Sequence, residues 1–428
     1  MVRKKSLALV LAGGAARGAY EVGVVDHVVR EVARDTGREI RFDILCGTSV
    51  GALNACGLGA YAHEGKDAAR RLVDIWTSLE VSELVSPDVS GVLGMGARLL
   101  GRSKADKESV AAREGGILHA SGLERLVETR IPFPSIKSNL EKGHLDALTV
   151  STTHVASGKT VVFIQTKDGA IPAWSLDPTV IPRAEVITAR HALASAAIPI
   201  LFRAVQLNGE YHCDGGLRQN VPLSPARRLG ADGLIVINPR HIDEQGLSGS
   251  PATEEEFPGP FFLLGKTLNA LLLDRIDTDL ARLESINRIL DAGTRAYGPG
   301  FVDSLNAQLR LAKPSSHLLS CAAGDDKSKA PPGRGMRPLR AVLVRSTEDI
   351  GKMAAEFVHS ASFARVGGIM GRVMRALADP GAKNESDLLS YLLFDGEFAG
   401  RLIEIGRRDA RARHDELCAF IERLYADD

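Results

Sequence analysis

The stretch FDILCGTSVGALNA, Phe42 to Ala55, decides the fold. Phe42–Gly47 is a short apolar run and reads as a buried strand. Val50–Ala62 reads as a helix. Between them lies Gly47-Thr48-Ser49-Val50-Gly51, a G-x-S-x-G pattern in strand–turn–helix context. So tight a turn needs glycine where neighbouring backbone comes close. It holds Ser49 at its tip over a helix N-terminus, where the Val50 N–H can donate to a developing oxyanion. Taken alone, the same residues also describe a plain turn with a bystander serine.

Working outward, a second strand, glycine turn and helix come first in the chain: KKSLALVLAGGAARGAY, Lys4 to Tyr20. Ser6–Ala12 reads as the strand and Ala19–Val32 as the helix. Lys and Arg before an apolar run suggest a signal peptide, but Gly13-Gly14 stops the run short of the ~7–15 residues such a segment uses. A dinucleotide fingerprint needs glycine at 15, where Ala15 stands. A P-loop needs Lys and Ser/Thr after Gly18, where Ala19 and Tyr20 stand. What remains is a turn whose backbone N–H groups suit an anion.

Further strands are expected at Asp146–Ser151, Thr160–Gln165, Leu234–Ile237 and Arg340–Arg345. Buried strands alternating with helices indicate an α/β layered fold. In such sheets ligands bind at the carboxyl ends of the strands. Ser82–Gly116 reads as an insertion or cover, and Gln245–Gly259 and Ala322–Arg337 as loops. Lys352–Leu377 and Ser386–Tyr425 read as helical.

Lys plus Arg and Asp plus Glu each number 53 in 428 residues, so the charge gives no case for nucleic acid. With 44% hydrophobic residues the chain can build a large core. No apolar run approaches the ~20 residues of a membrane span. Five scattered cysteines without a C-x-x-C pair point to reduced thiols in a cytoplasmic protein. Nothing in the sequence sets an oligomeric state.

A third element is YHCDGGLRQNVPLSPA, Tyr211 to Ala226. Asp214 before two glycines fits delivery of a carboxylate beside another catalytic group, and equally fits a surface turn. His212, Cys213 and Asp214 are adjacent on a strand and alternate faces, so no metal, calcium included, is expected there.

Together, GGAARG at 13–18, GTSVG at 47–51 and DGG at 214–216 resemble the patatin-like phospholipase family in order and spacing. ALASAAIPILFRAV, 192–205, is similar to the family's Ala-Ser-x-Ala-x-Pro-x-x-Phe segment. The resemblance covers about residues 6 to 240, and LLFDGEFAGRLIEIGRRDA, 392–410, looks like the C-terminal part of bacterial members. It implies a three-layer α/β fold with a mainly parallel central sheet flanked by helices, plus a C-terminal helical region. The catalytic core is then 1–245, and 246–428 is a mostly helical region packed on it, with a strand at 339–346.

The resemblance implies a lipid acyl hydrolase of phospholipase A or lysophospholipase type, needing no cofactor. Ser49 becomes the nucleophile and Asp214 its general base, in a dyad without histidine. Gly13, Gly14, Ala15, Arg17, Gly18 and Val50 become the oxyanion hole, and Gly47, Gly51, Gly215 and Gly216 the motif glycines. A histidine triad would otherwise draw on His241, in NPRHID, or on His317, His359 or His414.

One departure is Ala15, where the family usually carries glycine. Alanine keeps the N–H but disfavours positive φ, so a left-handed backbone there would be strained.

Phospholipid or another acyl-ester lipid is the implied substrate, with peripheral membrane contact. PFFLLGKTLNALLL, 260–273, reads either as a bilayer-surface helix or as a core helix. Arg407, Arg408, Arg411 and Arg413 could face anionic lipid, but Asp409, Asp415 and Glu416 balance them. Two alternatives stay open: an esterase or acyltransferase on soluble esters, and a non-catalytic lipid-binding protein.

Overall fold

Strand β1 (Leu7–Leu11) alternates its side chains between two cores. Leu7, Leu9 and Leu11 enter one buried cluster, and Ala8 and Val10 enter another. A strand buried on both faces needs a layer of helices on each, and that requirement produces three layers. The computed structural model describes residues 5–84, 86–87, 118–172, 179–241, 276–311, 335–367, 371–372, 374–375, 378 and 386–426.

The remaining strands are β2 (Ile44–Thr48), β3 (Ser86–Pro87), β4 (Leu118–His119), β5 (Ala147–His154), β6 (Thr160–Thr166), β7 (Val180–Ala184), β8 (Val205–Leu207), β9 (Glu210–Asp214), β10 (Gly233–Asn238) and β11 (Arg340–Arg345). The main sheet runs β11-β10-β1-β2-β5-β6-β7. Neighbours are parallel except β5 and β6. Strand β9 pairs antiparallel with the far end of β5, setting Thr152 opposite Asp214, and β8 completes a hairpin with β9. Strands β3 and β4 form a separate pair. The fold is thus mostly parallel α/β, as the sequence implied.

The helices used below are α1 (Gly18–His27), α2 (Val50–Ala60), α3 (Asp67–Thr77), α4 (Ala189–Ser195), α5 (Ile276–Tyr297), α6 (Ile350–Val358), α7 (Ser386–Leu392), α8 (Gly396–Ala412) and α9 (His414–Leu424). Helices α1, α2, α3 and α8 supply the core beneath Leu7, Leu9 and Leu11. Leu223, Ala226 and Ile276, the last at the start of α5, cover the opposite face. No helix among the described residues is long and apolar enough to cross a membrane.

The C-terminal part returns to this sheet. Strand β11 pairs in parallel with β10 from Gly233↔Arg340 to Asn238↔Arg345. Helix α8 then crosses α1 at backbone contact. A Cβ on Gly23 would strike the Ile403 carbonyl, and one on Gly406 the Tyr20 carbonyl. Polar contacts fix the crossing: Tyr20 donates to Asp409 at 3.2 Å, and Arg407 pairs with Asp26 at 2.7 Å.

Several expected boundaries move. Helix α1 ends at His27 and continues as a π-helical turn, Val28–Val32. The helical pattern expected over Lys352–Leu377 is interrupted: α6 is followed by a 3₁₀ turn at Ala361–Arg365 and then by helical residues at 371–372 and 374–375. Ser360 makes the break: its backbone is extended, and its hydroxyl donates to the Phe357 carbonyl at 2.6 Å. Most of the expected cover at 82–116, the loop at 245–259, the apolar stretch 260–273 and most of 322–337 lie outside the described residues.

Candidate active site

Strand β2 delivers the chain to a sharp turn. Ser49 follows its last residue at φ 56° and ψ −127°, a conformation that side chains rarely adopt. Such strain costs of order 1–3 kcal/mol and persists only where the surroundings enforce it. Here they do. Gly47 is in register with Leu11 of β1. A Cβ on Gly51 would lie 2.6 Å from the Ala12 carbonyl and nearer still to that of Leu11. The Ser49 N–H donates to Ser195 Oγ at 2.8 Å, and Ser195 donates onward to the Ser151 carbonyl at 2.6 Å.

Strand β9 brings Asp214 to the same point. Ser49 Oγ donates to Asp214 Oδ2 at 2.6 Å. The Gly216 N–H donates to Asp214 Oδ1 at 2.7 Å, so both carboxylate oxygens are taken. The strand is held by Thr153, whose hydroxyl donates to the Asp214 carbonyl at 2.9 Å, and by the Asp214 N–H, which donates to the Ala197 carbonyl at 2.9 Å. The Gly215 N–H donates to the Ser195 carbonyl at 3.3 Å. Burial pushes the Asp214 carboxyl up to about 7, against the lowering effect of its two hydrogen bonds. At neutral pH the group is poised to exchange a proton.

No imidazole among the described residues hydrogen-bonds Ser49 or Asp214. His212, on β9, instead contacts Thr152 Oγ1 at 2.9 Å. Burial lowers it to about 4, so it is neutral. His241 Nδ1 lies 3.4 Å from the Ser346 carbonyl. His359 contacts the Ala378 carbonyl, and His414 contacts His27 and Asp35. His317 lies outside the described residues.

The glycine-rich loop lies beside Ser49. Ala15 takes φ 48°, so the left-handed backbone that alanine disfavours is present. The amides expected to line an oxyanion hole do not all face it. The Gly13 N–H donates to Asn220 Oδ1 at 2.8 Å. The Arg17 N–H closes a 3₁₀ turn onto the Gly14 carbonyl at 3.0 Å, and the Gly18 N–H bonds the Ala15 carbonyl. The amides of Gly14, Ala15 and Val50 have no such partner among the described residues. The Arg17 side chain is buried and turns toward α7, where Nε donates to Ser390 Oγ at 2.8 Å.

Sequence reasoning missed the residues that brace this loop. Asn220 holds Gly13. Asn54 donates to the Gly18 carbonyl at 3.0 Å and to Glu21 at 2.8 Å, and accepts from Trp76 Nε1 at 2.9 Å. Burial holds the Glu21 carboxyl well above the usual range. Ser195 lay within the family-like segment 192–205, and Asn220 six residues after Asp214, so both had a visible signal. Asn54 is one polar residue in an apolar helix, which is a weaker one.

The family model described as Patatin-like phospholipase matches residues 9–227, just over half of the chain. No curated protein matches. Among solved structures, the crystal structure of VipD from Legionella pneumophila aligns over 93% of this chain and 92% of its own, at 12% identity and a TM-score of 0.29.

Proposed function

This chain belongs to the patatin-like phospholipase family, and from that premise we propose that it hydrolyses acyl-ester lipids through a Ser49–Asp214 dyad. The observation that carries the reading is the 2.6 Å bond between Ser49 Oγ and a buried Asp214 whose carboxyl sits near neutrality. A serine needs a neighbouring base to become a nucleophile at neutral pH. Asp214 is the group in position.

In this scheme Ser49 Oγ attacks the ester carbonyl carbon and its proton passes to Asp214. The carbonyl oxygen becomes an oxyanion, received by the amides of Gly14, Ala15 and Val50. Collapse breaks the ester bond, and Asp214 returns the proton to the departing alcohol. Water then attacks the acyl-enzyme and gives its proton to Asp214, and in the second collapse Asp214 passes that proton to the departing Ser49 Oγ as the fatty acid is freed. Each oxyanion donor of this kind typically contributes ~10²–10³ in rate. The substrate class is a phospholipid or lysophospholipid, reached by peripheral contact with a bilayer. Residues 1–245 form the catalytic core in this reading, and 246–428 an accessory region packed on it.

The test is fluorophosphonate labelling of wild type, Ser49→Ala and Asp214→Asn, with fatty-acid release from phospholipid vesicles. Wild type is expected to label and release. Ser49→Ala should lose on the order of 10⁶ in rate, as other serine hydrolases do. Labelling with turnover only of short soluble esters would move the substrate, and a folded wild type that does not label would remove the enzyme reading.

The pH profile adds a second check. Asp214 acts as a base only when ionised, so kcat/KM should rise with pH and level off above about 7. For stability the sign is opposite. A carboxyl raised on folding contributes stability that is present below its unfolded value and lost as pH rises through about 7. Asp214→Asn should therefore gain on wild type in melting temperature at pH 8 relative to pH 4.

A further inference from the structure

The oxyanion loop lies at the N-terminal end of the chain, yet one of its side chains is held by residues more than 370 positions away. Arg17 closes the 3₁₀ turn Ala15–Arg17, directly after the strained φ of Ala15. Its Nε donates to Ser390 Oγ at 2.8 Å. Its guanidinium carbon lies 4.5 Å from the centre of the Tyr391 ring, within cation–π range. All three residues are buried, Ser390 and Tyr391 completely. A planar guanidinium over a ring, with one N–H fixed, has little freedom to swing.

The far side of this contact is equally fixed. After α7, Phe394 stacks on Trp76 with ring centres 6.3 Å apart. Asp395 caps α8, accepting from the Glu397 N–H at 3.0 Å and the Phe398 N–H at 3.2 Å. The Gly396 N–H donates to the Leu79 carbonyl at 2.8 Å. Helix α8 in turn rests on α1, the helix that continues the oxyanion loop. The same C-terminal segment therefore holds the end of the loop twice, through Arg17 and through the helix that follows it.

We propose that Ser390 and Tyr391 are positioning residues for the reaction, acting through Arg17 to hold the Gly14 and Ala15 amides where the oxyanion forms. The proposal rests on the functional reading above. It gives the C-terminal region a part in catalysis: the patatin-like core alone would carry the dyad with a loosened hole. Arg17 itself touches no substrate in this account, since its side chain faces the protein interior.

The test uses the full chain carrying Tyr391→Leu, Tyr391→Phe or Ser390→Ala. Turnover of a p-nitrophenyl ester gives kcat and KM. Binding of an alkyl trifluoromethyl ketone, which forms a tetrahedral adduct with a serine nucleophile, reports on the hole. Hydrogen exchange of the peptide spanning Gly13–Gly18 reports on loop order. Displacing catalytic groups by about 1 Å costs on the order of 10² in rate, so Tyr391→Leu is expected to lower kcat by about tenfold or more. KM should hold, ketone affinity should fall by the same factor as kcat, and exchange should quicken at 13–18 but not in β1. Tyr391→Phe keeps the ring face and should retain more of the wild-type kcat than Tyr391→Leu.

Unchanged kcat and ketone affinity in Tyr391→Leu would overturn the proposal. So would Tyr391→Phe falling as far as Tyr391→Leu. If Tyr391→Leu does not fold, Ser390→Ala carries the test, with a smaller loss of the same pattern expected and no loss counting against. An inactive, unlabelled wild type would defeat the functional reading itself. An active wild type with an indifferent Tyr391→Leu would defeat only the role of Ser390 and Tyr391.

Discussion

The elbow at Gly47–Gly51 and the loop at Gly13–Gly18 each join a buried parallel strand to a helix. Each carries one non-glycine residue at positive φ, Ser49 at 56° and Ala15 at 48°. They are held differently. The elbow is locked chiefly by neighbouring main chain: the carbonyls of Leu11 and Ala12 leave no room at Gly51, and one side-chain bond is added, from the Ser49 N–H to Ser195 Oγ. The loop is braced by side chains from Asn220, Asn54 and Ser390. Backbone locks come with the sheet and hardly vary. Side-chain braces can be lost one at a time, so in the proposed mechanism the loop is where rate would be tuned without unfolding the protein.

Three substitutions sharpen or break that contrast. Gly51→Ala should be the most damaging. Alanine would ordinarily gain about 1 kcal/mol over glycine in a helix. Here the collision with two carbonyls outweighs it: about 3 kcal/mol, the upper end of overpacking costs, leaves a net loss of about 2 kcal/mol. Denaturant melts measure this, and a Gly51→Ala protein as stable as wild type would break the comparison.

Asn220→Ala comes next. It removes the 2.8 Å bond to Gly13 but leaves the main-chain bond from the Gly13 N–H to the Asn220 carbonyl at 3.3 Å. Stability should fall by only about 1 kcal/mol. The rate should fall roughly tenfold, through misplacement of the loop. Steady-state kinetics beside a melt would show whether rate and stability part in this way.

Ala15→Gly should do least. Relief of the left-handed backbone returns about 1–2 kcal/mol. Against it stand about 0.8 kcal/mol for the buried methyl and about 0.4–1 kcal/mol for the freer unfolded chain. The sum lies within about 1 kcal/mol of zero, with kcat within about twofold of wild type. A large gain in either would mean that the alanine handicaps the loop after all.

The elbow and β1 were legible in the sequence because short apolar runs ending in glycine leave few other readings. Asp214 needed the resemblance, since Asp-Gly alone is a common turn. Strand β7 escaped because Val180–Ala184 carries Pro182 and Arg183 and lies half-buried at the sheet edge, where apolar alternation is not demanded. Strand β8 is three residues long, too short for any period to show. Arg17 was read as part of the hole from its place in the motif. Its partners are a serine and a tyrosine in a distant helix, and no local pattern points to them. The same holds for Asn54 and Asn220: the sequence displays which residues bend the chain, and hides which ones hold the bend.

The pairing of β1 with β10 and of β10 with β11 has a consequence for the chain as it is made. Residues 7–11 leave the ribosome more than two hundred residues ahead of their partner at 233–237, and β11 follows about a hundred after that. At ordinary rates of synthesis the wait is on the order of tens of seconds. Until β10 arrives a fully apolar strand has one bare edge, and for most of that time the glycine loop behind it lacks its Asn220 brace. A nascent chain of this protein should therefore depend on holding chaperones until β10 emerges.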